Sequence, residues 1–300
     1  MCRFLGRRHE SGMAHFTGVK LWKRKKTAGV CGRSLSYGLT NFWSHPPLAL
    51  SAPLRGQRHR SAVARCMVAR RLSLDNMKVT LAFDVYGTLV NPAGMADHLA
   101  GDVGANVAAF TALWREKQLE YSFRRGLMQN YVGFSVCTAD AFEFACQHFR
   151  VAISTERRAE LIRLYQHLLP FDDAPRALES LHGTFRLFAF SNGKASDVAA
   201  VFSNSGLANF FEDILSVDEV RSFKPSPAVY AYARRATGAW SSPLWLVSSN
   251  PFDVIGARSA GLHAAWVRRS EEAIYDPWGI EPSVTVRTLT ELPSVLPNAA

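Results

Sequence analysis

Residues 78–89 of the chain read Lys-Val-Thr-Leu-Ala-Phe-Asp-Val-Tyr-Gly-Thr-Leu. The segment 79–83 combines aliphatic, β-branched and aromatic residues, which is the composition of a buried β-strand. A tight turn is expected around Gly87, so the strand ends at Asp84. Ligands of an open α/β sheet bind outside the carboxyl ends of its strands, which makes Asp84 the first candidate for a functional side chain.

Downstream of this strand, apolar strands alternate with helices. Strands are predicted at 185–190, 214–217, 244–247 and 264–267, and helices at 195–205, 227–237 and 253–260. A helical pattern from about 104 to 166, with further helices at 138–149 and 155–168, separates the first strand from the others. Alternation of this kind is typical of a parallel sheet with helices on both faces. We therefore predict an α/β fold with a doubly wound, Rossmann-like parallel sheet and a helical cap inserted after the first strand.

The positive charge of the chain is concentrated in its first quarter. The 300 residues have a formal net charge of +10, but residues 1–76 hold 15 of the 35 Lys and Arg and 2 of the 25 acidic residues. The rest of the chain is therefore slightly acidic, and no nucleic-acid surface is expected there. Three interpretations of residues 1–76 stay open: sequence that precedes the true start at Met77, an organelle-targeting leader, or a basic tail that binds nucleic acid or anionic lipid.

The predicted organisation has three parts. Residues 1–76 form a basic leader that is not a domain, residues 77–94 and 171–300 form the α/β core, and residues 95–170 form the cap. No apolar run reaches the roughly 18 residues that a membrane-spanning helix needs. The five cysteines form no Cys-x-x-Cys pair, so neither a disulfide framework nor a zinc site is expected. We predict a cytoplasmic protein that binds no membrane, or an imported one if the leader is genuine.

Polar residues follow three of the predicted strands where each strand ends: Asp84, Ser191, Asn192, Ser248, Ser249, Asn250 and Asp253. Because the carboxyl ends of parallel strands share one edge of the sheet, we expect these side chains to lie close together. A carboxylate such as that of Asp84 can act as a covalent nucleophile. A cation within about 4–6 Å would keep this carboxylate charged, and Lys224, in the loop before a helix, is a candidate for that cation. Arg115 offers a guanidinium group that suits a bound anion.

The same motifs, in this order, resemble the haloacid dehalogenase superfamily. The matching stretches are 84–89, 191–193, 224–225 and 248–253, and the helical insert after the first of them matches the position of the superfamily's cap. Most members are magnesium-dependent phosphatases with a second Asp two residues after the nucleophile, whereas this chain has Tyr86 there. A phosphatase-like hydrolase is therefore the alternative activity, with weakened protonation of its leaving group. A basic-tail nucleic-acid binder is the second alternative.

The Asp-x-Tyr-Gly-Thr form of residues 84–88 instead resembles the type II (S)-2-haloacid dehalogenases, as do residues 113–121 and 131–134 in the cap. The resemblance implies a homodimer that needs no metal or organic cofactor and hydrolyses short 2-haloalkanoic acids to (R)-2-hydroxy acids and halide. It implies that the catalytic residues are Asp84, Thr88, Arg115, Lys224, Tyr230, Ser248, Asn250 and Asp253. It implies that the substrate is contacted by Tyr86, Leu119, Phe134, Ser191, Asn192 and Phe252.

The resemblance also implies a division of labour among these side chains. Asp84 would attack the substrate and form an ester, while Arg115, with Asn192 and Phe252, would take the departing halide. Ser191 would hold the substrate carboxylate.

In the second step water would hydrolyse the ester. Asn250 and Asp253 would position that water, and Thr88 and Ser248 would orient the nucleophile. Lys224 would balance the charge of the nucleophile, with Tyr230 close by.

Overall fold

The structure is a computed structural model that describes residues 78–297. Residues 1–76, for which a leader was predicted, lie outside the described residues, and so do three of the five cysteines. The three interpretations of that segment therefore stay predictions. Across residues 78–297, no helix is both long and apolar enough to cross a lipid bilayer.

Six parallel strands form a single sheet in the order β3-β2-β1-β4-β5-β6. Their bounds are β1 Thr80–Phe83, β2 Arg186–Ser191, β3 Asp213–Ser216, β4 Leu244–Ser248, β5 His263–Val267 and β6 Val284–Val286. The doubly wound parallel sheet of the sequence prediction is confirmed. Strand β1 pairs with β2 on one side and β4 on the other, so it stands where the strand order reverses. Asp84, which follows β1, consequently lies at the crevice where such sheets bind ligands.

Helices fill the insertion after β1 and cover the sheet. The cap contains α1 Met95–Val103, α2 Val107–Leu127, α3 Phe134–Phe149 and α4 Thr155–Leu164. The remaining helices are α5 Ala174–Leu181, α6 Ala195–Ser205, α7 Pro227–Thr237, α8 Pro251–Ser259 and α9 Leu292–Val295. The predicted bounds of α6 and α7 are confirmed. Helix α8 begins two residues earlier than predicted, because Pro251 is suited to the first turn of a helix.

Alternate residues of the strands contribute to two separate apolar clusters. Leu81 and Phe83 of β1 belong to one cluster, and Ala82 belongs to the other. Trp245 and Leu246 of β4 divide in the same way. Because successive side chains of a strand point to opposite faces, the sheet is covered by apolar residues on both sides. This burial explains why its strands appear in the sequence as nearly continuous apolar runs.

The chain leaves for the cap and returns from it along two adjacent segments. The Asn91 amide donates to the Leu169 carbonyl at 3.0 Å, and the Phe171 amide donates to the Leu89 carbonyl at 2.9 Å. This short antiparallel contact closes the base of the insertion. It lies close to the boundaries predicted for the cap at residues 95 and 170, which stay predictions as domain limits.

Arg269, just after β5, connects three segments beneath this base. Its Nη1 donates to both carboxylate oxygens of Asp173, at 2.7 and 2.8 Å, and its Nη2 donates to the Thr88 carbonyl at 2.5 Å. The guanidinium lies 4.0 Å from the centre of the Phe171 ring. Asp173 in turn accepts from the Leu289 amide at 2.7 Å. Arg269 therefore joins the turn after β1 to the segment that returns from the cap.

Replacement of Arg269 by Met is expected to lower the free energy of unfolding by about 3 kcal/mol, because it leaves a largely buried carboxylate without its cation. Each side chain of the pair is only 16% exposed. Urea denaturation measures the change. Arg287→Met is the matched control, since its ion pair with Glu271 is 76% and 86% exposed. We expect no measurable change there, and equal losses in both variants would contradict the prediction.

Candidate active site

Asp84 occupies the end of β1 at the edge of the sheet. Its amide donates to the Val247 carbonyl at 2.9 Å, which extends the pairing with β4 by one residue. Gly87 then turns the chain with a φ of +93°, a conformation that glycine adopts without strain. The Asp84 side chain is 11% exposed. Strand pairing and the glycine turn thus fix the backbone on both sides of Asp84, and its carboxylate is held largely out of contact with solvent.

Three side chains donate hydrogen bonds to this carboxylate. Oδ2 accepts from Thr88 Oγ1 and from Asn250 Nδ2, each at 2.8 Å. Oδ1 accepts from Lys224 Nζ at 3.2 Å. Both oxygens are therefore held in place, and the donors come from the β1 turn, the β4 end and the loop before α7.

Lys224 is a buried cation between two carboxylates. Its side chain is 1% exposed, and Nζ also donates to Asp253 Oδ2 at 2.7 Å and to the Phe190 carbonyl at 2.8 Å. Burial opposes its positive charge, but Asp253 and Asp84 together outweigh burial and raise the pKa of Lys224 above its usual value. The ammonium group consequently stays charged across the ordinary pH range.

Asp253 lies in the first turn of α8, has no exposed surface, and is linked to Asp84 through Lys224. Tyr230 donates its hydroxyl proton to Asp253 Oδ1 at 2.8 Å. Burial, with a smaller contribution from the charge of Asp84, raises the pKa of Asp253, while Lys224 and Tyr230 oppose the rise. A carboxylate with a raised pKa is a suitable general base.

Ten residues line a small cavity at the Asp84 carboxylate: Asp84, Tyr86, Arg115, Leu119, Phe134, Ser191, Asn192, Lys224, Asn250 and Phe252. All ten were predicted from the sequence as site residues. The other four predicted residues, Thr88, Tyr230, Ser248 and Asp253, do not line the cavity. The fold therefore brings the polar groups at the strand ends together with three cap residues, Arg115, Leu119 and Phe134.

Arg115 reaches the cavity from helix α2 of the cap. Its Nη2 donates to the Tyr86 carbonyl at 3.3 Å, and its Nη1 donates to Gln118 Oε1 at 2.6 Å. Burial lowers the pKa of Arg115, against opposing contributions from Tyr165 and Asp84, and guanidinium groups in proteins keep their charge. Arg115 thus supplies a positive charge to the same cavity as the Asp84 carboxylate.

Ser191 and Asn192 keep hydrogen-bonding capacity towards the cavity. Ser191 Oγ accepts from the Gly193 amide at 3.0 Å, so its own proton is free to be donated to a ligand. Asn192 Oδ1 accepts from the Lys224 amide at 3.0 Å, so its Nδ2 is the group that remains to be donated. Both arrangements suit an anionic ligand.

Phe252 forms part of the apolar wall and is held by the cap. Its ring centre lies 5.0 Å from that of Phe123 on α2, in an edge-to-face contact. Tyr86, Leu119 and Phe134 complete this wall. A wall of this kind limits water around a carboxylate.

Ser248 Oγ accepts from the Asn250 amide at 3.1 Å, and the side chain of Asn250 donates to Asp84. The role of Ser248 in orienting Asp84 stays a prediction. The neighbouring Ser249 holds the turn that follows Asp84, because its amide donates to Thr88 Oγ1 at 2.9 Å and its hydroxyl donates to the Gly87 carbonyl at 2.7 Å. Ser249 thus acts on Thr88, which donates to Asp84. The two neighbouring serines hold different backbone segments, a difference that the shared Ser-Ser-Asn motif does not reveal.

Two further residues that the sequence analysis did not single out shape the site. Gln118 is buried beside Arg115. A Cβ atom at Gly256 would lie 2.5 Å from the Tyr230 hydroxyl and 2.6 Å from Pro225 Cβ, so glycine lets α8 approach α7. Within residues 78–297, no three His, Cys, Asp or Glu side chains form a group that could hold a metal ion.

Comparison with known proteins gives one family. A family model described as haloacid dehalogenase-like hydrolase matches residues 79–261. The chain is 36% identical over 217 residues to (S)-2-haloacid dehalogenase 2 of Pseudomonas sp. (strain CBS-3), covering 72% of this chain and 94% of that one. It is 35% identical over 207 residues to haloacetate dehalogenase H-2 of Moraxella sp. (strain B), covering 69% and 92%.

A solved structure with the same fold is that of the L-2-haloacid dehalogenase from Xanthobacter autotrophicus with chloropropionic acid covalently bound. It shares 30% identity with this chain, at a TM-score of 0.68, and the match covers 72% of this chain and 97% of that one. The chain therefore belongs to the haloacid dehalogenase superfamily, in its L-2-haloacid dehalogenase family.

Proposed function

We propose that this protein is an (S)-2-haloacid dehalogenase, which hydrolyses 2-haloalkanoic acids to (R)-2-hydroxy acids and halide. The observation that carries the proposal is the Asp84 carboxylate. Hydrogen bonds from Thr88, Asn250 and Lys224 hold it in a cavity that also contains Arg115. Relatives more than 30% identical over most of the chain are (S)-2-haloacid dehalogenases.

In the first step, a carboxylate oxygen of Asp84 attacks C2 of the substrate from the side opposite the halogen. A C–O bond forms, the C–halogen bond breaks, and its electron pair leaves with the halide towards Arg115. Ser191 and Asn192 hold the substrate carboxylate and the halide with the donors described above. The configuration at C2 inverts, and the product is an ester of Asp84.

In the second step, water attacks the carboxyl carbon of the ester. Asp253 accepts a proton from this water, and Asn250 positions it. The bond between the carboxyl carbon and the ester oxygen attached to C2 breaks, and that oxygen takes a proton as the 2-hydroxy acid leaves. Asp84 is regenerated with one oxygen from water.

Incubation with (S)-2-chloropropanoate in the presence of a chelator tests the function. We expect chloride and (R)-2-hydroxypropanoate in equal amounts, identified by ion chromatography and chiral chromatography. The (R)-2-chloropropanoate enantiomer is the control and should release no chloride, because its halogen cannot point to Arg115 while its carboxylate stays in place. Absence of chloride from both enantiomers contradicts the proposal.

The phosphatase alternative is less well supported because of Tyr86. Burial, with a smaller contribution from Asp197, raises the pKa of this phenol above its usual value, so it stays neutral. A neutral phenol replaces the second carboxylate that a magnesium-dependent phosphatase uses as a metal ligand and as an acid. Magnesium-dependent phosphate release from an aryl phosphate, without chloride release from the haloacid, would favour the alternative.

Tyr230→Phe is expected to move the acidic limb of the pH–activity profile to higher pH. The hydroxyl of Tyr230 lowers the pKa of Asp253, so its removal lets that pKa rise further. As the pH falls, Asp253 therefore takes up its proton earlier, and the charged base needed for ester hydrolysis is lost sooner. Measurement of kcat against pH in both proteins checks the direction of the shift, and a shift to lower pH contradicts it.

The homodimer and the cytoplasmic location stay predictions for this chain. Leu127 and Met128, at the end of α2, are 87% and 64% exposed. Exposed apolar side chains like these are available for contact with a second copy of the chain. Sedimentation equilibrium is expected to give twice the mass of one chain, and the mass of a single chain would contradict the dimer.

A further inference from the structure

Gln118 has a buried side-chain amide in the cap, and none of the predicted catalytic or binding roles was assigned to it. It is 1% exposed and lies on α2, one turn after Arg115. Its Oε1 accepts from Arg115 Nη1 at 2.6 Å, and its Nε2 donates to Thr138 Oγ1 at 2.6 Å. Buried polar groups are stable only when they are paired, so the direction of each of these side chains depends on the others.

The amide fits between its neighbours in one orientation. Thr138 Oγ1 donates its single proton to the Phe134 carbonyl at 3.0 Å, so towards Gln118 it can only accept. Arg115 has donors and no acceptor. The Gln118 oxygen must therefore face Arg115, and its nitrogen must face Thr138. The result is a chain of hydrogen bonds with one direction, from Arg115 to the backbone at the start of α3.

This series of hydrogen bonds holds one side of the Arg115 guanidinium to the cap, and the core holds the other side. Arg115 Nη2 donates to the carbonyl of Tyr86, two residues after the nucleophile. Trp114 donates from Nε1 to the Thr138 carbonyl at 2.9 Å, which fixes α2 against α3 at the same level. A long, flexible arginine side chain is thus restricted on both edges, and the direction in which it faces the cavity is set before a ligand binds.

We propose that Gln118 is a positioning residue for halide departure, an inference that rests on the proposed dehalogenase function. Gln118 holds the Arg115 guanidinium where the halide receives the electron pair of the breaking bond. Preorganised charge at that point stabilises the transition state of the first step. The halide has left before water attacks the ester, so Gln118 contributes nothing to the second step.

The Gln118→Met variant separates the two steps, because it keeps the length of the side chain and removes its polar atoms. Ester formation from (S)-2-chloropropanoate is expected to slow by about tenfold to a hundredfold, the range for loss of a hydrogen bond to a charged group. With (S)-2-bromopropanoate the loss should be smaller, because bromide is the better leaving group. Rapid quenching and mass spectrometry of the ester measure its formation and its decay, and the decay rate should not change.

Two companion variants support this measurement. Gln147→Met makes the same substitution at an exposed position of α3, where the side chain donates a hydrogen bond to Glu143, and should leave both rates unchanged. Gln118→Glu keeps the volume and the acceptor towards Arg115, so it tests the inference even if the Met variant fails to fold. The added negative charge should weaken inhibition by chloride about tenfold or more.

The outcomes distinguish this inference from the proposed function. If the wild-type protein releases no halide, the dehalogenase function and the role of Gln118 are both overturned. If the wild type is active but the bromide-to-chloride rate ratio of Gln118→Met equals that of the wild type, the role of Gln118 alone is overturned. Equal slowing of ester formation and ester decay would also overturn it, since that pattern indicates a general disturbance of packing.

Discussion

Asp84→Asn is expected to release no measurable halide from (S)-2-chloropropanoate, a loss of at least about a thousandfold in kcat, as is typical when a covalent nucleophile is removed. The amide of Asn carries no negative charge and cannot displace a halide at a useful rate. Its oxygen can still accept from Thr88, so the turn after β1 should keep its form. Ion chromatography of halide measures the loss, and urea denaturation shows whether the variant is folded.

Asp97→Asn is the matched control for this variant. Asp97 is exposed in the first turn of α1, where loss of its charge removes only a small favourable interaction with the helix N-terminus. Its halide release should equal that of the wild type. Equal activity of the Asp84 and Asp97 variants would show that another group displaces the halide.

Isotope labelling tests the same nucleophile without any substitution. In a single turnover in ¹⁸O-water, the hydroxyl oxygen of the product comes from Asp84, and the label enters the Asp84 carboxylate. The product of that turnover is therefore unlabelled. A labelled product would mean that water attacks C2 directly, with Asp84 acting only as a base.

The strand ends were the part of the site that the sequence could predict best. A buried parallel strand has a distinctive composition, and all such strands end at one edge, so the motifs around Asp84, Asn192 and Asn250 could be placed together without coordinates. The cavity confirms that these residues meet. The position of Lys224 followed from the motif resemblance, since a loop lysine is ordinarily exposed.

Elements that depend on tertiary contacts could not be predicted in this way. Strand β6 pairs with β5 and has only three residues, which is too short for a recognisable pattern of apolar residues in the sequence. Helix α5 begins with Ala-Pro-Arg and is fixed by the apolar face that it buries against the core. The contact between Gln118 and Thr138 joins two helices of the cap, and their register cannot be read from either helix alone.

Lys224→Met is expected to abolish activity at neutral pH and to lower the free energy of unfolding by about 3–5 kcal/mol, the cost of removing one partner from a buried ion pair. The single ammonium group contacts both Asp84 and Asp253. Without it the two buried carboxylates repel each other. The pKa of Asp253, which Lys224 lowers in the wild type, then rises further, and Asp253 is protonated where the wild-type base is charged.

The pH dependence of this variant distinguishes a charge effect from a packing effect. A carboxyl group whose pKa is raised by folding binds more protons in the folded state than in the unfolded state. The stability of the fold therefore decreases as the pH rises from the pKa of the unfolded state to that of the folded state. The loss of stability in Lys224→Met should therefore be larger at about pH 8 than at about pH 5, and urea denaturation at both values measures it. Arg287→Met, which removes an exposed cation paired with the exposed Glu271, should show neither effect. An equal loss at both pH values would mean that Lys224 stabilises the site by filling space, and the charge balance proposed for Asp84 and Asp253 would have to be abandoned.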